Sequence, residues 1–131
     1  MTQDFLVTMT VATNKIVHKL DAIQIAKLCA EAALDKKAGN LSILDVSKLT
    51  SFTDCFVICS APSERQVQAI VRNVQEVLGA HSLKHLGLEG FEQGAWVLLD
   101  LGDVIFHCFT DDAREYYDLE GFWIDAPKVE L

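Results

Sequence analysis

The sequence predicts a single-domain α/β protein in which a mixed sheet of roughly five strands packs against helices. Three observations carry this. Cys55–Ser60 (CFVICS) is an unbroken apolar run, the pattern of a strand buried on both faces. An amphipathic helical stripe follows it and then a weaker strand at 83–88, which suits a βαβ crossover. Finally, 95–100 and 104–109 are short apolar runs on either side of a Leu-Gly pair, which reads as an antiparallel hairpin.

The elements follow in order. Residues 1–20 are Thr-rich and aperiodic, and are expected to form a loose arm before a domain spanning 21–131. Met9 offers a second candidate start. Asp21 suits the N-cap of a helix over 22–37, with Ile23, Ala26, Ala30, Ala33, Leu34 and Lys37 on one side and Gly39 as its stop. Leu41–Val46 is a strand, and 47–54 a polar link with room for one helical turn. Ser63 and Gln66 have the spacing of a capping box. The helix behind them carries Val67, Ile70, Val71, Val74, Val77 and Leu78 on one face and stops at Gly79. Glu89–Gly94 is a loop. After the hairpin, Thr110 is an N-cap followed by two acids, which suit the partial positive charge of a first helical turn. That helix should reach Glu120, with Gly121 as its stop.

The hairpin can be read further. With Leu101-Gly102 as the turn, residue i pairs with 203 − i, so Trp96 faces His107, Leu98 faces Ile105 and Asp100 faces Asp103. These six share one mixed face, while Val97, Leu99, Val104, Phe106 and Cys108 form an apolar face that belongs under helices. On the residues alone, Trp96 is core or contact. A tryptophan buries much apolar area and still donates a hydrogen bond, which suits either place.

Charge singles out the same region. Residues 89–131 hold eleven acids against Arg114 and Lys128, a net −9, whereas 1–88 are net +1. Trp96, Phe106, Phe109, Tyr116, Tyr117, Phe122 and Trp123 are interleaved with those acids. Such a surface repels phosphate and suits a basic protein partner.

Constellations with the residue types of catalytic or metal sites have plainer readings. Asp100-x-x-Asp103 spans a turn and suits backbone capping better than a two-carboxylate metal site. His81 and His85 have ligand spacing only on a helix, lie between glycines and read as solvated. Cys55 and Cys59 on one strand put their sulfurs ~13 Å apart, too far for a disulfide or a shared metal. His107 and Cys108 point to opposite faces and cannot form a nucleophile–base pair. Arg114 serves as a contact or as the ion-pair partner of Asp111 or Asp118. Four cysteines inside apolar segments look like buried thiols of a reducing compartment. No apolar run reaches the ~20 residues needed to span a bilayer. Asp4 without a basic start argues against a signal peptide, which leaves a cytoplasmic protein. No catalytic residue, metal or cofactor is expected.

Three segments carry a family resemblance: LDVSKLTSFTDCFVICSAPSERQVQAI, WVLLDLGDVIFHCF and REYYDLEGFW. From about Asp21 to Trp123 the chain resembles the ribosomal silencing factor family, also called Iojap. The resemblance implies a nucleotidyltransferase-like core without catalytic motifs. Indeed this chain has no Gly-Ser dipeptide, no D-x-D pair and no P-loop. It further implies a translation repressor that binds the large ribosomal subunit through the protein called L-fourteen and blocks joining of the small subunit. Little rRNA contact is expected. Trp96, Asp100, His107, Arg114, Tyr117 and Leu119 fall in the two C-terminal signature segments, and with Leu98, Tyr116 and Glu120 they make the expected partner surface. Departures from the family pattern are a longer N-terminal arm and Gly121-Phe122 where a Leu-like residue usually precedes the Trp. An aromatic patch on the free protein would favour a homodimer. The alternative class is a residual nucleotidyltransferase or nucleotide-binding protein, which stabilisation by nucleoside triphosphate and Mg²⁺ would favour.

Overall fold

Asp21 caps the first described helix. In a computed structural model, which describes residues 20–131, its Oδ1 accepts from the Gln24 N–H at 2.8 Å. Gln24 Oε1 accepts from the Asp21 N–H at 2.9 Å, completing a capping box. The predicted arm, save Leu20, and the choice between Met1 and Met9 lie outside the described residues. Helix α1 spans Ala22–Leu34 and ends earlier than the spacing predicts. The chain turns through Lys37 at φ 64°, and Gly39 opens strand β1 (Gly39–Asp45) instead of stopping the helix.

Strand β2 (Cys55–Ala61) is buried at every residue, as its unbroken apolar run requires. Helix α2 (Glu64–Ala80) starts at Ser63, whose Oγ accepts from the Gln66 N–H at 3.2 Å. Only this half of the expected capping box forms, because the Gln66 amide reaches the Lys36 carbonyl instead. The helix runs through Gly79, and His81 caps it. Val67, Ile70, Val71, Val74 and Leu78 are buried against the sheet. Each fully buried side chain of this size contributes about 1.5–3 kcal/mol.

Strands β3 (Gly87–Glu89), β4 (Trp96–Asp100) and β5 (Val104–Thr110) follow. The sheet order is β1-β2-β5-β4-β3. Only β2 and β5 pair in parallel, and every other pairing is antiparallel. The β2–α2–β3 crossover therefore exists, but β5 and β4 lie between its two strands.

The hairpin register differs from the expected one by two residues. Trp96 pairs with Phe109, Leu98 with His107 and Asp100 with Ile105. The turn residues are Gly102 and Asp103, with Gly102 at φ 88° and the Leu101 N–H donating to the Val104 carbonyl at 2.9 Å. A tight turn with positive φ at its first central position wants glycine there, and Leu101 would be strained in that place. A shift of two preserves side-chain parity, so both predicted faces survive except that Asp103, expected opposite Asp100, lies in the turn. Val97, Leu99, Val104, Phe106 and Cys108 are all fully buried, in the core that α1 and α2 cover.

The C-terminal helix is two helices. Thr110 caps α3 (Asp111–Tyr117) through its Oγ1. Asp118 then turns left-handed at φ 45°, and α4 (Leu119–Phe122) contains Gly121 instead of ending at it. The tail beyond runs along the outer edge of β1. Asp45 N–H donates to the Pro127 carbonyl and Val129 N–H to the Ile43 carbonyl, both at 2.9 Å. These last elements cover part of the second sheet face and close a small outer core of Leu44, Val46, Phe56, Ile58, Phe109 and Ala126.

Candidate functional site

The outer face of the sheet is covered on one side only. Over β1, β2 and the C-terminal half of β5 it packs against Ala113, Leu119 and Trp123. Over β4 and β3 no described element covers it. Trp96, Leu98 and Asp100 of β4 and Ile105 of β5 are half-buried there, and exposed Glu89 of β3 lies beside Leu98. Gly87, beside Asp100, adds no side chain. The result is a strip of apolar side chains flanked by two carboxylates, at the open end of the sheet.

Trp96 stands where covered and uncovered halves meet. Its ring stacks on Phe109 (centroids 4.9 Å, 24°) and meets Tyr117 at 4.9 Å. Its Nε1–H donates to His107 Nδ1 at 3.1 Å. That bond places the imidazole proton on Nε2, which is buried and has no hydrogen-bond partner. Burial pulls the His107 pKa down to about 4, so the ring is neutral near pH 7. Phe56 meets His107 edge to face at 5.1 Å and Trp123 at 5.1 Å, and Trp123 meets Phe52 at 6.4 Å. A continuous run of rings thus joins exposed Tyr116 and Tyr117 at one end to exposed Phe52 at the other.

The predicted surface residues therefore divide. Trp96, Leu98 and Asp100 line the open strip, and Tyr116 (82% exposed) and Tyr117 (47%) stand beside it on α3. His107, at 4%, is buried beneath Trp96 and presents no surface of its own. Leu119 packs into the outer core. Arg114 does not pair with Asp111 or Asp118. Its Nε and Nη2 donate to the two carboxylate oxygens of Glu120 at 3.1 and 2.8 Å, and its Nη1 donates to Ser60 Oγ at 3.2 Å. This fork ties α3, α4 and β2 together, and the pairing becomes reachable only because Asp118 reverses the chain. Asp100 Oδ1 accepts from the Gly102 N–H at 2.8 Å, the turn chemistry its spacing suggests.

The remaining constellations are placed as follows. Cys59 lies directly opposite Cys108 across β2 and β5, on the inner face, while His107 faces outward. Burial pushes the Cys29 thiol up to about 12 and Cys55 to about 11, and contact with Cys59 together with burial raises Cys108. All four thiols are free and buried. His81 and His85 are exposed. Among the described residues, no three His, Cys, Asp or Glu side chains are grouped to hold a metal ion, and no helix is long and apolar enough to cross a membrane.

Residues 19–131 match the profile of a family described as "Ribosomal silencing factor during starvation". The chain belongs to the ribosomal silencing factor family. Relatives named ribosomal silencing factor RsfS include one from Halalkalibacterium halodurans, 44% identical over 108 residues (82% of this chain, 92% of that one). Another, from Bacillus subtilis, is 41% identical over 107 residues (82% and 91%). The crystal structure of a Chromobacterium violaceum protein superposes with a TM-score of 0.78 at 39% identity, covering 79% of this chain and 87% of that one. The outer core built on Phe56, Phe109 and Trp123 is not among the sequence expectations. The alternation that pairs Trp96 with the His107 face also places Phe109 there, so that part was available. Phe52 sits in a link without periodicity, and nothing local marks it.

Proposed function

We propose that this silencing factor represses translation by binding the large ribosomal subunit through a basic ribosomal protein, the one called L-fourteen, and occluding the small subunit. The observation that carries this reading is the uncovered strip around Trp96, a half-buried indole held by stacking and one hydrogen bond in the part of the chain that concentrates its negative charge. A pre-organised aromatic loses little conformational freedom on docking and is a favoured anchor at protein interfaces. The surrounding carboxylates speed encounter with a basic protein and repel bare rRNA. Occupying a subunit interface needs no bond-making step, so the function requires no catalytic centre, and it places the protein with ribosomes in the cytoplasm. The same strip, free of its partner, is suited to self-association.

Co-sedimentation tests the reading. The protein should pellet with isolated large subunits, stay in solution with small subunits, and lower the yield of joined ribosomes when the two are mixed. Equal binding to both subunits, or none to the large one, would refute it.

A further inference from the structure

Within the open strip, Glu89, Gly90, Trp96 and Leu98 line a slot of about 240 Å³. Gly90 has φ 79°, and a Cβ on it would collide with the Trp96 carbonyl oxygen, so the loop lies directly against the β4 main chain. Leu98 supplies an aliphatic wall, Trp96 an aromatic one, and Glu89, directly across from Leu98 in the β3–β4 ladder, a solvent-accessible carboxylate. Asp100 follows Leu98 on the same face. Among the described residues the one ion pair joins Arg114 to Glu120, away from this slot.

We propose that the slot receives an arginine side chain of the partner protein. The three-carbon stem of arginine lies against Leu98 and Trp96, and its guanidinium meets the Glu89 carboxylate. Arginine suits this better than lysine, because its planar, weakly hydrated head stacks on aromatic rings and forks onto a carboxylate. A phosphate or a carboxylate ligand is disfavoured by Glu89 and Asp100 together. The assignment rests on the reading of the strip as a partner surface, and gives that reading a specific chemical key.

The test uses the isolated protein, so it does not depend on ribosome binding. N-acetyl-arginine amide is titrated while backbone resonances of 86–102 and the Trp96 indole resonance are followed by NMR. The neutral isostere N-acetyl-citrulline amide and N-acetyl-lysine amide serve as comparisons. Saturable shifts centred on Glu89, Gly90, Trp96 and Leu98 are expected, with apparent affinity at least about fivefold weaker for citrulline, as for loss of a charge-assisted pair. Glu89→Gln, an exposed and isosteric change, should weaken the arginine response by a similar factor. Shifts that match those with citrulline, that are larger with lysine, that centre on the acids at 111–118, or that survive Glu89→Gln would each overturn the assignment. If the slot takes arginine and yet the protein ignores large subunits, the proposed function fails while the site stands. If large subunits bind and the slot ignores arginine, the site fails alone.

Discussion

Replacing Trp96 by alanine removes three interactions at once, and the structure sets their size. Two aromatic contacts disappear, with Phe109 and Tyr117 at 4.9 Å each. Each is worth ~0.5–1.5 kcal/mol beyond burial. His107 also loses its donor at Nδ1, so both ring nitrogens of a buried imidazole are left without partners. An orphaned buried polar group costs ~1–3 kcal/mol. The sum is ~2–6 kcal/mol, which for a domain of this size lowers Tm by ~7–20 °C. Trp96→Phe helps separate the contributions, since it keeps one aromatic ring for stacking while deleting the N–H together with the second ring, and should fall between the parent and Trp96→Ala. Tyr117→Ala is the counterpart. Half-exposed, Tyr117 should cost ~1 kcal/mol or less of stability, yet as an interface aromatic it should weaken large-subunit binding ~30-fold. Thermal melts and co-sedimentation on the same three variants decide. A Trp96→Ala melt within ~2 °C of the parent would refute the account of the outer core, and parent-like binding by Tyr117→Ala would refute the surface.

Further expectations concern pH, salt and chain geometry. His107 holds a folded pKa of about 4, below its ordinary 6.5, so the unfolded chain binds its proton first as pH falls. Its contribution is complete above pH ~6.5 and is lost progressively toward pH ~4, by ~3 kcal/mol in denaturant melts, and His107→Phe should flatten that slope. Binding to large subunits should weaken steeply with added salt, read as a falling association rate, and salt-independent binding would mean the acidity serves solubility alone. Arg114→Met breaks a charge-assisted fork and should cost ~2–3 kcal/mol, with faster amide exchange in α4. Gly102→Ala forces a side chain into φ 88° and should destabilise the hairpin by ~1 kcal/mol or more in the same melts.

What the sequence made legible was local or periodic. The inner core followed from the α2 stripe and the CFVICS run, because burial there repeats with the period of the element. The faces of the hairpin followed from alternation and survived a wrong register, since a slip of two leaves parity intact. The register itself depended on which turn position glycine occupies, a choice made by backbone torsion and not by hydropathy. Arg114 and Glu120 are six residues apart, a spacing at which helix residues do not face each other. Their pairing needs the left-handed break at Asp118, which an acidic residue in a short helix does not announce. The burial of His107 was equally hidden, because Phe56, whose ring meets it edge to face, comes from a strand far away in the sequence.

The strap at 127–129 has a consequence for how copies of this protein can assemble. One border of the sheet, along β1, is hydrogen-bonded to the chain's own tail, whereas at the other border, β3, no further strand pairs among the described residues. Among the described residues, strand addition is therefore favoured at the β3 side. Were two copies to meet at β3, the strapped border of each would disfavour addition of a third, so edge-to-edge association would tend to stop at two. Removing the strap opens the second border and converts a self-terminating contact into one that can propagate.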